Sequence, residues 1–213
     1  MVLRTFVNTG LAALISVGAT VRIDAAGIQT TSSVFRVAFS SSSDTATEHL
    51  PNVILRTQDG IRVRFYDDLV KGKVVLINFM FTSCPNQCPR TTANLVRVAE
   101  ALGDHLGRDI RMISVSIDPN TDSPDVLKRY SSRYGTKPGW YFVTGAQTDI
   151  DLIRKRLGVF DDDGDKTQHT GVLVYGNEGS GQWAATPALA NPRIIVRSVM
   201  RVVDRPKGHP SAE

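Results

Sequence analysis

Residues 73–89, KVVLINFMFTSCPNQCP, carry the strongest fold signal of this chain and contain both of its cysteines. Residues 73–81 are a nearly continuous apolar run, rich in β-branched side chains, and predict a strand buried on both faces. Residues 91–106 have helical spacing of apolar side chains, so the strand leads into a helix. Cys84 and Cys88 therefore follow the carboxyl end of a strand, where open α/β sheets form their functional sites.

Outward from this stretch, strand and helix patterns alternate along the chain. Residues 53–57 and 61–65 flank an Asp-Gly pair and predict a β-hairpin. The element order predicts an α/β fold: a mixed sheet with helices on both faces and its first long strand, 73–81, in the middle. The remaining predicted elements are strands at 109–117, 140–143, 170–175 and 182–185, a turn at 176–179, and helices at 124–134 (N-cap Ser123), 148–157 and 191–203.

Composition excludes several classes of protein. With 213 residues, 41% hydrophobic and 22% charged, the chain is typical of one globular domain, and not of a polytopic membrane protein, a collagen-like repeat or a wholly disordered chain. The 25 Lys and Arg exceed the 21 Asp and Glu by only four and form no dense run, so nucleic acid is not an expected partner.

The termini predict a targeting segment and a tail around the folded domain. Residues 1–26 combine a positive charge at Arg4, an eleven-residue apolar centre and small residues at Ala25 and Ala26, which indicates a signal peptide or a weak membrane anchor. Residues 27–50 form a Ser/Thr-rich tether, 51–205 the folded domain and 206–213 a polar tail. We expect export to a bacterial periplasm, with or without a membrane tether; the alternative is the mitochondrial intermembrane space.

The two cysteines admit three interpretations from spacing alone. A structural disulfide closing so short a loop would stabilise the fold by about 2 kcal/mol or less. A redox pair is the second interpretation, although three residues separate these thiols instead of the usual two. The third is a soft-metal site, which needs at least one further ligand. The chain offers four histidines for it: His49, His105, His169 and His209.

Position distinguishes His169 from the other three histidines. His49 lies in the tether, His209 in the tail and His105 in the last turn of a predicted helix, where it complements the helix dipole. His169 ends a polar, acid-rich loop, 161–168, and directly precedes a predicted buried strand. That loop does not match the spacing of an EF-hand calcium site. A loop that enters a sheet strand can aim a side chain at the site on the sheet edge.

Three motifs in this order resemble the Sco/SenC family of copper-binding, thioredoxin-like proteins. They are residues 81–89 (FTSCPNQCP), residues 114–124 (SVSIDPNTDSP), and His169 before its strand, within a resemblance that covers about 51–203. The resemblance implies a thioredoxin-like sheet flanked by helices and one copper ion bound by Cys84, Cys88 and His169, with Asp118 near the metal. It also implies a partner, the copper-centre subunit of cytochrome c oxidase or another copper protein, which receives copper or reducing equivalents during assembly.

The chemistry of the implied ligands suits copper. Cu(I) prefers thiolate and tolerates low coordination, and Cu(II) accepts both thiolate and imidazole. Zinc in a structural site requires a fourth protein ligand, and the sequence shows no candidate for it. Two functions stay open: a copper metallochaperone, and a thiol-disulfide reductase in which Cys84 and Cys88 are the redox pair acting on partner cysteines.

The last predicted helix carries a basic stripe. Its arginines recur every four residues and therefore share one face: Arg193, Arg197, Arg201 and Arg205. A solvated surface is one interpretation of this stripe. The other is contact with an anionic membrane surface or an acidic partner.

Overall fold

The computed structural model describes residues 50–160 and 171–203. The predicted signal peptide or anchor, the tether up to residue 49, the loop that contains His169, and the polar tail lie outside the described residues. The proposed domain boundaries at residues 26, 50 and 205 therefore stay predictions.

A seven-stranded mixed sheet organises the described part of the chain. Its strands lie in the order β2-β1-β5-β4-β3-β6-β7. The three adjacent strands β3, β4 and β5 are parallel, and every other neighbouring pair is antiparallel, which confirms the mixed sheet. The strand bounds are β1 Ile54–Thr57, β2 Arg62–Arg64, β3 Val74–Met80, β4 Ile110–Ser116, β5 Trp140–Gly145, β6 Val172–Asn177 and β7 Gln182–Pro187.

The first long strand, β3, is buried throughout, as its apolar run predicts. It is an interior strand, but the prediction that it occupies the middle of the sheet is wrong. The middle position belongs to β4, because the N-terminal hairpin of β1 and β2 pairs with β5 and adds two strands on that side. Strand pairing across a long sequence separation decided this position.

Within residues 50–160 and 171–203, four α-helices flank the sheet: α1 Gln87–Leu102, α2 Pro124–Arg133, α3 Gln147–Arg156 and α4 Pro192–Val203. Helix α1 packs against α4, whereas α2 and α3 pack against β5. The predicted N-cap of α2 is confirmed, because the Ser123 hydroxyl oxygen accepts a hydrogen bond from the Val126 backbone N–H at 3.4 Å.

The bounds predicted for α1, 91–106, are wrong at both ends. The helix begins four residues earlier, since Pro89 lies in the first turn, where its missing N–H has no helical partner to lose. It ends at Leu102 because Gly103 adopts a positive φ of 54°, and a short 3₁₀ turn, Gly103–His105, follows. The early start places Cys88 inside the first turn of α1.

Two further local predictions differ from the structure. Phe65, predicted in the hairpin, instead begins a π-helical turn, Phe65–Val70, whose residues Phe65, Leu69 and Val70 are buried. The turn predicted at 176–179 lies two residues later, at Glu178–Gly181. Gly176 stays in β6 because the ring of Trp183 on β7 covers it, and a Cβ there would lie 2.5 Å from that ring.

Candidate metal centre

Both cysteines lie where β3 gives way to α1. Cys84 follows a turn in which its backbone N–H donates to the Phe81 carbonyl at 3.3 Å, and Cys88 occupies the first turn of α1. Their side chains are 5% and 1% exposed, and neither forms a disulfide. The structure therefore presents two thiols one helical turn apart at the carboxyl edge of the parallel strands.

The N-terminus of α1 surrounds the sulfur of Cys84 with donors. The Cys88 backbone N–H donates to Cys84 Sγ at 3.3 Å. Burial by itself raises the pKa of the Cys84 thiol, but hydrogen bonds from the backbone and side chain of Cys88 and from the backbone of Asn86 and Gln87 oppose it. Their combined effect is a lowered pKa at Cys84, as expected where the unpaired N–H groups of a helix end meet a sulfur. The site favours thiolate, the form that binds soft metals.

A buried carboxylate holds the segment just before Cys84. Asp122 is fully buried and accepts the Thr82 hydroxyl at 2.5 Å, the Thr82 backbone N–H at 3.1 Å and the Ser116 hydroxyl at 2.6 Å. These hydrogen bonds join the end of β3 to the end of β4, so Asp122 fixes the chain two residues before the first cysteine. Sequence reasoning quoted this aspartate within a motif but assigned it no role.

The backbone contacts of Asp118 are described, whereas its place near the metal, which the resemblance implies, stays a prediction. Its backbone N–H donates to Ser116 Oγ at 3.1 Å, and its carbonyl accepts from the N–H groups of Thr121 and Asp122 at 3.0 and 2.9 Å. Asp118 thereby shapes the loop after β4. The Asp122 carboxylate reaches the segment before Cys84.

A tyrosine on α2 borders the cysteine pair. Tyr130 is buried, and its hydroxyl lies 2.9 Å from the hydroxyl of Thr92, one turn after Cys88 on α1. Burial raises the pKa of Tyr130, and a charge on Cys88 acts in the same direction. Sequence reasoning missed Tyr130, and the only signal for it was its place on the apolar face of a predicted helix.

The chain re-enters the described residues beside the cysteine segment. A Cβ built on Gly171 would lie 2.8 Å from the side-chain nitrogen of Gln87, which stands between the two cysteines. The Gly171 carbonyl accepts the Ala188 N–H at 2.8 Å, so its backbone is held in place. The start of the segment that leads into β6 therefore abuts the Cys84–Cys88 loop.

The predicted third ligand, His169, lies outside the described residues, as do His49 and His209. His105 is described: its ring nitrogen lies 3.2 Å from Asp109 Oδ2 beside Arg108, in a surface pair distant in the chain from the cysteines. Within residues 50–160 and 171–203, no three His, Cys, Asp or Glu side chains form a metal-binding group. The described part thus contributes two sulfurs to a candidate centre.

Comparison with known proteins connects this arrangement to one family. The family model SCO1/SenC matches residues 55–204. The SCO1 protein homolog of Bacillus subtilis is 36% identical over 98 residues, which are 45% of this chain and 49% of that protein. The chain thus spans about half the length of the curated relatives that it matches. A Bacillus anthracis lipoprotein structure described as SCO1/SenC family has a TM-score of 0.61 at 25% identity, covering 73% of this chain and 95% of that one.

Two further solved structures match the same fold. BsSco, described as a member of the Sco family of cytochrome c oxidase assembly proteins with a disulfide switch, has a TM-score of 0.60 at 27% identity, covering 73% of this chain and 93% of its own. Bradyrhizobium japonicum ScoI, solved with copper bound, has a TM-score of 0.56 at 24% identity, covering 70% and 96%. The expected thioredoxin-like α/β fold is confirmed. In the described residues, no helix is long and apolar enough to cross a membrane.

Proposed function

Because the chain belongs to the SCO1/SenC family, we propose that it binds one copper ion through Cys84, Cys88 and His169 and delivers that ion to the copper centre of cytochrome c oxidase during assembly. The family's copper-binding role in oxidase assembly is the premise, and the ligand set is our proposal. The observation that carries it is the pair of unbridged thiols at the N-terminus of α1, with the Cys84 pKa lowered.

The contact between Gln87 and Gly171 supports His169 as the third ligand. Two peptide units join His169 to Gly171, a span of at most about 7 Å between their Cα atoms. Gly171 touches a residue that lies between the two cysteines. An imidazole adds a few ångströms of reach, so the covalent chain allows His169 to approach the cysteine segment.

The donor set matches the cargo. Two thiolates and one imidazole satisfy Cu(I) at low coordination and also serve Cu(II). Because copper here is cargo, the site must release it as well as bind it. A site that ends at three ligands leaves a position open for an incoming thiolate or imidazole of the acceptor.

A second candidate is a thiol-disulfide reductase that acts on partner cysteines. The same lowered pKa at Cys84 favours it, since thiolate is the attacking form in disulfide exchange. In that reaction one thiolate attacks the partner disulfide, and the other sulfur closes a Cys84–Cys88 disulfide, leaving the partner with two reduced thiols. Such an enzyme needs neither His169 nor copper.

Copper binding to a His169→Ala variant separates the two candidates. We expect weaker Cu(I) binding in competition with a chromogenic chelator and loss of the visible thiolate-to-Cu(II) band, with the unfolding midpoint unchanged. His105→Ala is the matched control, because that imidazole pairs with Asp109 on the surface. Copper affinity equal to wild type in His169→Ala would rule out the proposed ligand set.

The redox state of the cysteines gives an independent test. Metal binding requires deprotonated, reduced sulfurs, so protein oxidised to the Cys84–Cys88 disulfide should bind no copper. Stoichiometric, tight binding by the oxidised protein would contradict a thiolate site. Reduction of a partner disulfide by His169→Ala at the wild-type rate would favour the reductase.

We also propose that the protein works after export, in a bacterial periplasm, with the mitochondrial intermembrane space as the alternative. The amino-terminal pattern of residues 1–26 is the support for this proposal. Mass determination of protein recovered from each compartment tests it. Protein found only in the cytosol at full length would refute export.

A further inference from the structure

A row of three side chains crosses the hairpin edge of the sheet. Strand pairing sets Arg56 on β1 opposite Arg62 on β2 and, on its other side, opposite Thr144 on β5. Directly opposite residues on adjacent strands have Cβ atoms about 5 Å apart, close enough for their side chains to interact. The side chains of two arginines and one threonine therefore leave the sheet side by side.

This row lacks the partners that such groups normally have. Both arginines are exposed. In the described part of the chain neither makes an ion pair or a hydrogen bond, in contrast to Arg64, which lies 3.3 Å from Asp68. Thr144 is 6% exposed, and its hydroxyl has no hydrogen-bond partner among the residues that the structure describes. Like charges directly opposite each other destabilise a sheet, so an unpaired arginine couple is a cost that an anion would relieve.

The row lines a cavity of about 530 Å³. No acidic side chain is among its lining residues, and two helices begin at its wall. Ser123 and Pro124 start α2, and Ala146 precedes α3 without any side-chain cap for the first N–H groups. Helix N-termini carry positive potential, which adds to the positive charge of the two arginines at this cavity.

The cavity opens at the carboxyl ends of the parallel strands, where the cysteines also lie. Pro119, in the loop after β4, lines it, and so does Gly145, which ends β5. Cys84 follows the neighbouring parallel strand β3, and two strand spacings of about 5 Å each separate β3 from β5. The loop that contributes Pro119 also carries Asp122, which binds Thr82 just before Cys84. One loop thus borders both sites.

An exposed apolar side chain completes the surface. Ile54 is 49% exposed and lines the cavity next to Arg56 on the same face of β1. An exposed apolar side chain does not stabilise a bound inorganic anion. A peptide that carries carboxylates beside an apolar side chain matches both features.

We propose that this cleft, defined by Arg56, Arg62, Thr144 and Ile54, docks an acidic segment of the protein that receives copper. The identity of that partner rests on the proposed function, whereas the acidic-peptide binding itself does not. Carboxylates of the segment pair with the two guanidinium groups, and an apolar neighbour covers Ile54. The two arginines then lie three and four strand spacings, about 15 to 20 Å, from the cysteine strand β3.

The test measures binding of a fluorescent peptide of alternating glutamate and leucine to reduced, copper-free full-length protein. In Arg56→Gln/Arg62→Gln we expect affinity to fall at least about tenfold, which corresponds to the loss of roughly one charge-assisted pair. Arg193→Gln/Arg197→Gln is the matched control, since it removes from α4 two arginines that are also exposed and form no ion pair within the described residues. It should change affinity less than about twofold. Equal losses of affinity in both variants would show that the peptide responds to the net charge of the protein and not to this cleft, and would overturn the proposal.

Three further arms identify the occupant. Displacement of the peptide by millimolar inorganic phosphate would show a free-anion site and overturn the proposal. Binding of vesicles with anionic headgroups that depends on Arg56 and Arg62 would show a membrane-binding site and would also overturn the proposal. A Cys84→Ser/Cys88→Ser variant, which cannot bind copper, should bind the peptide as wild type does. Loss of peptide binding in that variant would contradict a cleft that binds independently of the cysteines. Failure of the protein to bind copper would refute the proposed function but would not change the outcome of the peptide assay.

Discussion

Removing the Asp122 carboxylate tests how the cysteine segment is held. Asp122→Ala leaves three donors without their acceptor: the backbone N–H and hydroxyl of Thr82, and the hydroxyl of Ser116. An orphaned buried donor costs about 1 to 3 kcal/mol. The hydroxyls can rotate toward other acceptors, and Thr82 is only half-buried, so we expect a loss of about 3 to 5 kcal/mol in the free energy of unfolding.

Asp122→Asn separates stability from metal binding. Asparagine preserves the volume and one acceptor oxygen, so its cost is smaller, about 2 kcal/mol, and the variant stays folded because domains of this size have about 5 to 15 kcal/mol of stability. Its looser hold on Thr82, two residues before Cys84, should weaken Cu(I) affinity by about tenfold, at the lower end of the range known for groups that orient ligands.

Urea denaturation and chelator competition measure these two effects. The matched control is Asp125→Ala, an exposed aspartate in the first turn of α2, which should cost about 0.5 kcal/mol through the helix dipole and leave copper affinity unchanged. A loss below about 1 kcal/mol for Asp122→Ala would refute the assignment of the three hydrogen bonds. Unchanged copper affinity in folded Asp122→Asn would refute the link to the cysteines.

Three further outcomes are expected. Hydrogen bonding lowers the pKa of Cys84 in the folded protein. The contribution of Cys84 to the stability of copper-free protein should therefore be complete above the ordinary thiol pKa and be lost as the pH falls through the lowered pKa. Thiolate absorbance measured against pH, with unfolded protein as the control, checks the lowered pKa. Arg56→Thr should raise the free energy of unfolding by up to about 1 kcal/mol, since it removes a like charge facing Arg62; a decrease in urea midpoint would contradict it. The domain should bind anionic vesicles weakly and lose that binding in high salt and in Arg197→Gln/Arg201→Gln. Vesicle binding that changes with neither salt nor these substitutions would show that the basic stripe of the last helix is an ordinary solvated surface.

Local patterns in the sequence were enough to predict most elements. The buried run of β3, the Ser123 cap of α2 and the hairpin at the Asp-Gly pair depend on residues within a few positions of one another, and the structure confirms all three. The position of Cys84 and Cys88 at a strand-to-helix junction follows from the same local signals. Those signals also explain why the copper-binding family could be suspected before any contact was known.

The misplaced boundaries show where local reasoning fails. Gly176 is typical of a turn, but its small size serves a contact with Trp183 on the neighbouring strand. Pro89 interrupts a helical pattern in the sequence, but in the first turn of α1 it costs no hydrogen bond. In both cases one residue type serves two structures, and only its surroundings select between them.

The alternation of strands and helices, the position of the two thiols and the histidine expected to join them all follow from local sequence patterns. The tertiary structure alone decided that β4 takes the middle of the sheet, that Asp122 holds the segment before Cys84, and that Arg56 and Arg62 face each other. Periodicity and capping are properties of neighbouring residues. The hydrogen bonds of a buried carboxylate and the register of paired strands join segments far apart in the chain, and only packing brings them together.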